Sequence, residues 1–246
     1  SLHDALPIWF WQCEMFSAYR SHVHPLVWSM IPQLPEFLTC FGWSIMPATW
    51  KPFMQSLLDI CEPAPDLSCA LPAHQNWVDL FTDGSCQYPH MPWRLASWAV
   101  AQADPTQLEV EAMRSVVLAA SPLQGMIQTA FRAELRAAVE ALRIGRALGC
   151  KVRLWCDCQG IVSKLHKLQH GKLRIKPNCR HSDLWIELAE LVSELGADSL
   201  IVTKVASHQD GLHATTAVHG WCFVNNGLVD HAAKVAHLLR PHAFLE

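Results

Sequence analysis

Four acidic residues sit in settings suited to metal chemistry. Asp83 lies in Phe81-Thr82-Asp83-Gly84-Ser85, Glu134 in Arg132-Ala133-Glu134-Leu135, Asp157 in Trp155-Cys156-Asp157-Cys158-Gln159 and Asp230 in Asn225-Asn226-Gly227-Leu228-Val229-Asp230. Asp83 and Asp157 end apolar, strand-like runs, whereas Glu134 and Asp230 fall on helix-like runs. Carboxylates gathered from such elements into one cleft repel each other and are driven towards the protonated form. Divalent cations that prefer hard oxygen ligands remove that penalty. A metal-dependent site is therefore the leading expectation.

The elements that must position these acids emerge after residue 75. Trp77 to Thr82 is a short, mostly apolar run suited to a central strand buried on both faces. Arg94 to Gln102 reads as a second strand, and Ser115 to Ala120 as a third, with Asp104-Pro105 turning between them. Phe131, Leu135, Ala138 and Leu142 recur at helical spacing opposite Arg132, Arg136, Glu140 and Arg143. Gly149 is placed to end that helix. Lys151 to Cys156 alternates as a fourth strand, Cys158 to Leu168 suggests a helix, and Leu184 to Leu195 carries a strong apolar stripe. Ser199 to Ala206 is the fifth strand, and a helix over Asn226 to Leu239 closes the pattern. Strand–helix–strand order of this kind implies an α/β layer structure.

Residues 1–75 differ in kind. They hold nine of the fifteen prolines and five of the eleven tryptophans. Proline at that density breaks helices and ladders alike, so an irregular Pro/Trp-rich segment is expected there, with the domain proper at 76–246. The chain starts with Ser1 rather than Met, which suggests a fragment. Its opening, Ser1 to Ile8, reads as adapter-derived sequence and carries no fold argument. The formal net charge of −3 excludes a uniformly basic nucleic-acid coat and leaves room only for a local patch. Such a patch is present: Lys164, Lys167, Lys172, Arg174, Lys176 and Arg180 fall within 17 residues that contain no acid. The ten cysteines are scattered without a Cys-x-x-Cys pair, which fits reduced thiols and an intracellular, cytoplasmic or nuclear, location. No apolar run reaches the roughly 18 residues of a membrane span.

The element order together with the four acidic motifs resembles the type 1 ribonuclease H family, in its retroviral and retrotransposon version, over about residues 76–240. Phe81 to Cys86 resembles the first-strand motif, Arg132 to Leu135 the helix motif, and Asp157-Cys158-Gln159 the Asp-Ser-Gln at the end of the fourth strand. Asp183-Leu184-Trp185 is similar to a helix segment of the cellular enzymes, Val205 to His208 to the loop with a mobile histidine, and Asn226 with Asp230 to the last helix. The resemblance implies a five-stranded mixed sheet flanked by helices and hydrolysis of the RNA strand of RNA/DNA hybrids, giving 5′-phosphomonoesters. It implies two Mg²⁺ ions, replaceable by Mn²⁺, held by Asp83, Glu134, Asp157 and Asp230, with His208 handling protons or product departure. Ser85, Gln159 and Asn226 would touch substrate, Asn226 alternatively capping its helix, and Lys164, Lys167, Lys172, Arg174 and Lys176 would grip the DNA strand. A reverse-transcriptase region would precede the domain, with residues 1–75 its remnant.

The sequence departs from the family where Gln87 to Trp93 replaces a glycine-rich turn and where Thr129, Ala130 and Phe131 stand in place of asparagines. Three other readings remain open. One is a catalytically inactive nucleic-acid-binding module of the same fold, and another is a different nuclease or integrase on that scaffold. The third is a zinc module using His208, His213, His219 and Cys222, whose spacing matches no common finger.

Overall fold

Trp77–Gln87 forms β1, Leu95–Ala103 β2, Ser115–Pro122 β3, Lys151–Cys156 β4 and Leu200–Lys204 β5. The computed structural model describes residues 55–89, 94–109, 112–206 and 216–239. The strands pair in the order β3-β2-β1-β4-β5, antiparallel across β3-β2-β1 and parallel across β1-β4-β5. The two parallel connections run through helices, as parallel pairing requires. These helices are α1 (Ala130–Ala147), α2 (Gln159–Gln169) and α3 (Ser182–Leu195), followed after β5 by α4 (Ala217–Val235).

Helices α1, α2 and α3 cover one face of the sheet. Leu135, Ala138, Val139 and Leu142 of α1, Ile161 and Leu165 of α2, and Trp185 and Leu188 of α3 share one buried core there with Val78, Leu80 and Leu154. Helix α4 covers the other face, where Trp221, Val229 and Ala233 pack on Phe81, Ala99 and Ala101. Strand side chains alternate between faces, so Val78 and Leu80 meet α1 while Phe81 meets α4. Among the described residues no helix is long and apolar enough to cross a membrane.

Several expected boundaries move. β1 continues past Thr82 to Gln87, because β2 keeps pairing with it as far as Gln87↔Leu95 after β4 stops at Thr82↔Cys156. Asp83 is therefore inside a strand rather than at its end. β5 stops at Lys204, short of Ala206. The last helix starts at Ala217, not Asn226, and its N-cap is Thr216, whose side chain accepts from the His219 backbone N–H. Asn226 is thus mid-helix and caps nothing.

Contacts divide the chain between Ser56 and Leu57, and the five described strands all lie in the unit Leu57–Glu246. Residues 57–75, grouped by composition with the preceding segment, pack with the sheet. Leu57 and Ile60 are buried, the Asp66 N–H donates to Leu118 O, and the Gln102 side chain bonds both the N–H and the carbonyl of Leu71. The Glu62 carboxylate accepts from Arg136 Nε at 2.7 Å and from Trp98 Nε1 at 3.2 Å. Proline keeps this stretch irregular without keeping it off the core.

Candidate metal and nucleic-acid cleft

Beyond Thr82 the main chain of β1 has a partner on one side only, and the resulting crevice opens beside the end of β4. Carboxyl ends of neighbouring parallel strands are where α/β sheets usually place ligands. Asp157 immediately follows β4, just before α2. Helix α1 brings Glu134 from above. Its N-cap, Thr129, accepts from the Arg132 N–H, and Glu134 lies one turn further on.

Gly84 sets how closely these parts approach. A Cβ at this position would lie 2.2 Å from the backbone nitrogen of Glu134 and 2.6 Å from the Ala133 carbonyl carbon. The main chains of β1 and α1 are therefore in direct contact, which only glycine permits. That contact places Asp83 and Glu134 side by side.

One carboxylate oxygen each from Asp83, Glu134 and Asp157 can be chosen so that all lie within 4.8 Å of one another. Asp83 is buried, and its carboxyl is pushed up to about 6, first by burial and then by the charges of Asp157 and Asp230. Hydrogen bonds that Asp83 accepts from the Gly84 N–H and from the Glu134 carboxyl oppose that rise only in part. Glu134 is raised well above the ordinary glutamate value, again by burial first and then by Asp83 and Asp157. Its Oε2 is buried with no hydrogen-bond partner among the described residues. Crowded, desolvated acids with an unserved oxygen form a donor set that a divalent cation would satisfy. The donor set is all hard oxygen, so it fits Mg²⁺ or Mn²⁺ far better than a soft metal.

Asp230 faces the same cleft of about 380 Å³ but stands apart from the trio, its Oδ2 accepting from Lys234 Nζ at 2.6 Å. Helix α4 is fastened along its length. Trp221 meets Phe81 and Trp155 edge-on, with centroids 5.1 and 5.3 Å away, and its Nε1 donates to Asp104 O. Asn225 donates to Trp221 O and accepts from Ser115 Oγ. Ser97 Oγ donates to Ala233 O.

The remaining expected residues divide. Ser85 and Asn226 line the cleft, and Asn226 Oδ1 is buried without a hydrogen-bond partner among the described residues. Gln159 does not line it, and its amide donates to Ser163 Oγ at 2.9 Å. Lys164, Lys167, Lys172, Arg174 and Lys176 lie outside it on α2 and the loop that follows, Lys164 with its ammonium 4.5 Å from the Trp185 ring centroid. His208 lies outside the described residues, as does His213 of the zinc alternative. Cleft residues not singled out from sequence are Gly84, Cys86, Ala206, Phe223, Gly227 and Lys234. Gly227, Lys234 and Phe223 could have been found by stepping three, four and seven residues from Asp230 along a helix face.

A family profile of RNase H matches residues 75–237. This chain belongs to the RNase H family, and its five-stranded mixed sheet is the fold of that family. Among solved structures it is similar to the protease–reverse transcriptase of prototype foamy virus, with 19% identity, a TM-score of 0.50, and coverage of 71% of this chain and 22% of that one. The chain thus spans about a fifth of that protein's length. It is similar also to the isolated PFV RNase H domain, at 19% identity and TM-score 0.49 over 66% of this chain and 94% of that one. A third match is LC9-RNase H1, a type 1 RNase H with the type 2 active-site motif, at 20% identity and TM-score 0.47 over 70% and 76%. No curated protein matches.

Proposed function

We propose that this chain hydrolyses the RNA strand of RNA/DNA hybrids with two Mg²⁺ ions, leaving 5′-phosphomonoesters. The observation that carries the reading is the convergence of Asp83, Glu134 and Asp157 oxygens within 4.8 Å in a family member, two of them with raised pKa values. Asp83, Glu134 and Asp157 would hold the ions, with Asp230 completing the set once it leaves Lys234. Bound divalent ions activate a water for in-line attack on a phosphodiester and stabilise the leaving 3′ oxygen. The protein's own share is positional: Gly84 fixes the Asp83–Glu134 spacing, and α4 holds Asp230 and Asn226 against the cleft. Because the acids must be ionised to bind metal, metal uptake releases protons and tightens as pH rises.

Ser85 and Asn226 would touch the hybrid near the cut, while Gln159, Lys164, Lys167, Lys172, Arg174 and Lys176 would follow its backbone outside the cleft. His208 would assist proton transfer or product release. Hybrid recognition of this kind works through shape and 2′-hydroxyls rather than base sequence. The foamy-virus chain to which this one is similar over about a fifth of its length is a protease–reverse transcriptase, which supports a retroelement origin and a preceding reverse-transcriptase region here. The test is cleavage of matched RNA/DNA, RNA/RNA and DNA/DNA duplexes with Mg²⁺ and with chelator. Metal-dependent cutting of the hybrid's RNA strand alone is expected. Binding without cutting, or equal cutting of all three duplexes, would defeat the proposal.

A further inference from the structure

Cleft residues on α4 form a single stripe: Phe223, Gly227, Asp230 and Lys234 follow one another at three- and four-residue steps, with Asn226 beside Gly227. Two of them are poorly suited to a helix that serves only to pack. Phe223 is 39% exposed, although Trp221 two residues earlier is almost wholly buried. Gly227 sits in the helix interior, where glycine is less favourable than alanine. An ideal Cβ there would meet nothing within 4 Å, so no close contact requires the glycine. Its backbone angles are not of the left-handed kind either. An aromatic ring left in solvent and a bare stretch of backbone adjoin on the wall of the carboxylate cleft.

From this juxtaposition we infer that Phe223 and Gly227 form a notch that seats the sugar ring of a hybrid nucleotide next to the cleaved bond. The Phe223 ring covers the apolar face of the sugar, and the bare helix at Gly227 lets the nucleotide approach the main chain. Neither residue carries a titratable or metal-ligating group, so both act by positioning substrate beside Asp230. The inference rests on the proposed hybrid cleavage, which names the substrate but assigns nothing to these two positions.

The intact chain is compared with Phe223→Ala, Phe223→Trp and Gly227→Ala, with Leu238→Ala as a control for an exposed apolar residue away from the cleft. KM and kcat are measured on one RNA/DNA hybrid with Mg²⁺, and hybrid binding is followed by fluorescence anisotropy. Phe223→Ala should raise KM by about tenfold, the value of covering one ring face, with kcat changed little and Phe223→Trp restoring KM. Gly227→Ala should raise the melting temperature by a few degrees, as alanine in a helix does, while raising KM several-fold. Improved stability with poorer binding cannot come from a structural role. Gly227→Ala with wild-type KM, or Phe223→Ala no worse than Leu238→Ala, overturns the notch while hybrid cleavage stands. A wild-type chain that neither binds nor cuts hybrid overturns both.

Discussion

Asp79 and Asp83 lie on the same strand and the same face, four residues apart, and are 1% and 6% exposed. Asp79 accepts from Trp155 Nε1 at 2.9 Å and from Arg153 Nη1 at 3.0 Å. Its carboxyl is still raised by burial, but both partners pull it back. Asp83 has Asp157, Glu134 and Asp230 around it instead, and rises to about 6. A buried acid served by an indole and a guanidinium is a structural solution. One surrounded by its own kind destabilises the fold until something positive arrives. Burial alone would rank the two together; their neighbours separate them.

The largest contrast should appear on substitution by asparagine. Asp83→Asn should lower hybrid cleavage by more than about 100-fold, beyond the upper range for losing a mere supporting partner of a metal ligand. It should leave the fold intact or firmer. Asp79→Asn should do the reverse, retaining activity per folded molecule while losing about 1–3 kcal/mol as Arg153 loses its anionic partner and one of the two donors loses its acceptor. Assays paired with urea melts read both; equal activity losses in the two variants would erase the distinction.

Glu62 extends the comparison to an acid outside the strands. Its carboxylate joins Arg136 and Trp98, and the Arg136–Glu62 pair is only 13% and 12% exposed. Glu62→Gln, or removal of residues 1–75, should cost about 3 kcal/mol with no direct effect on metal affinity. A truncated chain beginning at residue 76 with an unaltered melting curve would show that this anchor is dispensable.

The pH dependence sharpens the contrast further. Asp83 has a folded value of about 6 against an ordinary 3.8. It therefore contributes stability that is full below about 4 and lost as pH rises through about 6. In chelator, wild-type stability minus that of Asp83→Asn should fall by a few kcal/mol between pH 4 and pH 7, and Mn²⁺ should restore it. Denaturant titrations across that range would contradict the argument if the difference stayed level.

The smallest effect belongs to Lys234. Its pair with Asp230 is half in solvent, so Lys234→Met should change stability by no more than about 0.5 kcal/mol. Freed of its ammonium, Asp230 should bind the second cation more tightly. Calorimetric Mn²⁺ titration with unaltered or weaker binding would remove Lys234 as a competitor.

How much of this was legible in the sequence depended on whether local pattern or distant pairing decided the outcome. β4 was readable residue for residue, because Val152, Leu154 and Cys156 alternate with half-exposed neighbours. The far half of β1 was not, since Ser85, Cys86 and Gln87 carry no apolar period and are held by β2 alone. The start of α4 was hidden by Gly220 and the adjacent Asn225 and Asn226, residues that favour turns when unpartnered. The fold engages Asn225 with Trp221 and Ser115 and so keeps it helical. Within the cleft, the order of acidic motifs pointed to a shared site. The Asp230–Lys234 ion pair needed coordinates, as did the reason for Gly84.

Gly84 has a wider consequence. Where two main chains touch without intervening side chains, the gap between the acids they bear is set by the contact of the backbones themselves and not by the size of neighbouring side chains. Wholesale exchange of the leucines and valines underneath has little leverage on it. A distant descendant could lose nearly every other resemblance and still hold out the same two oxygens, so long as one position stays bare.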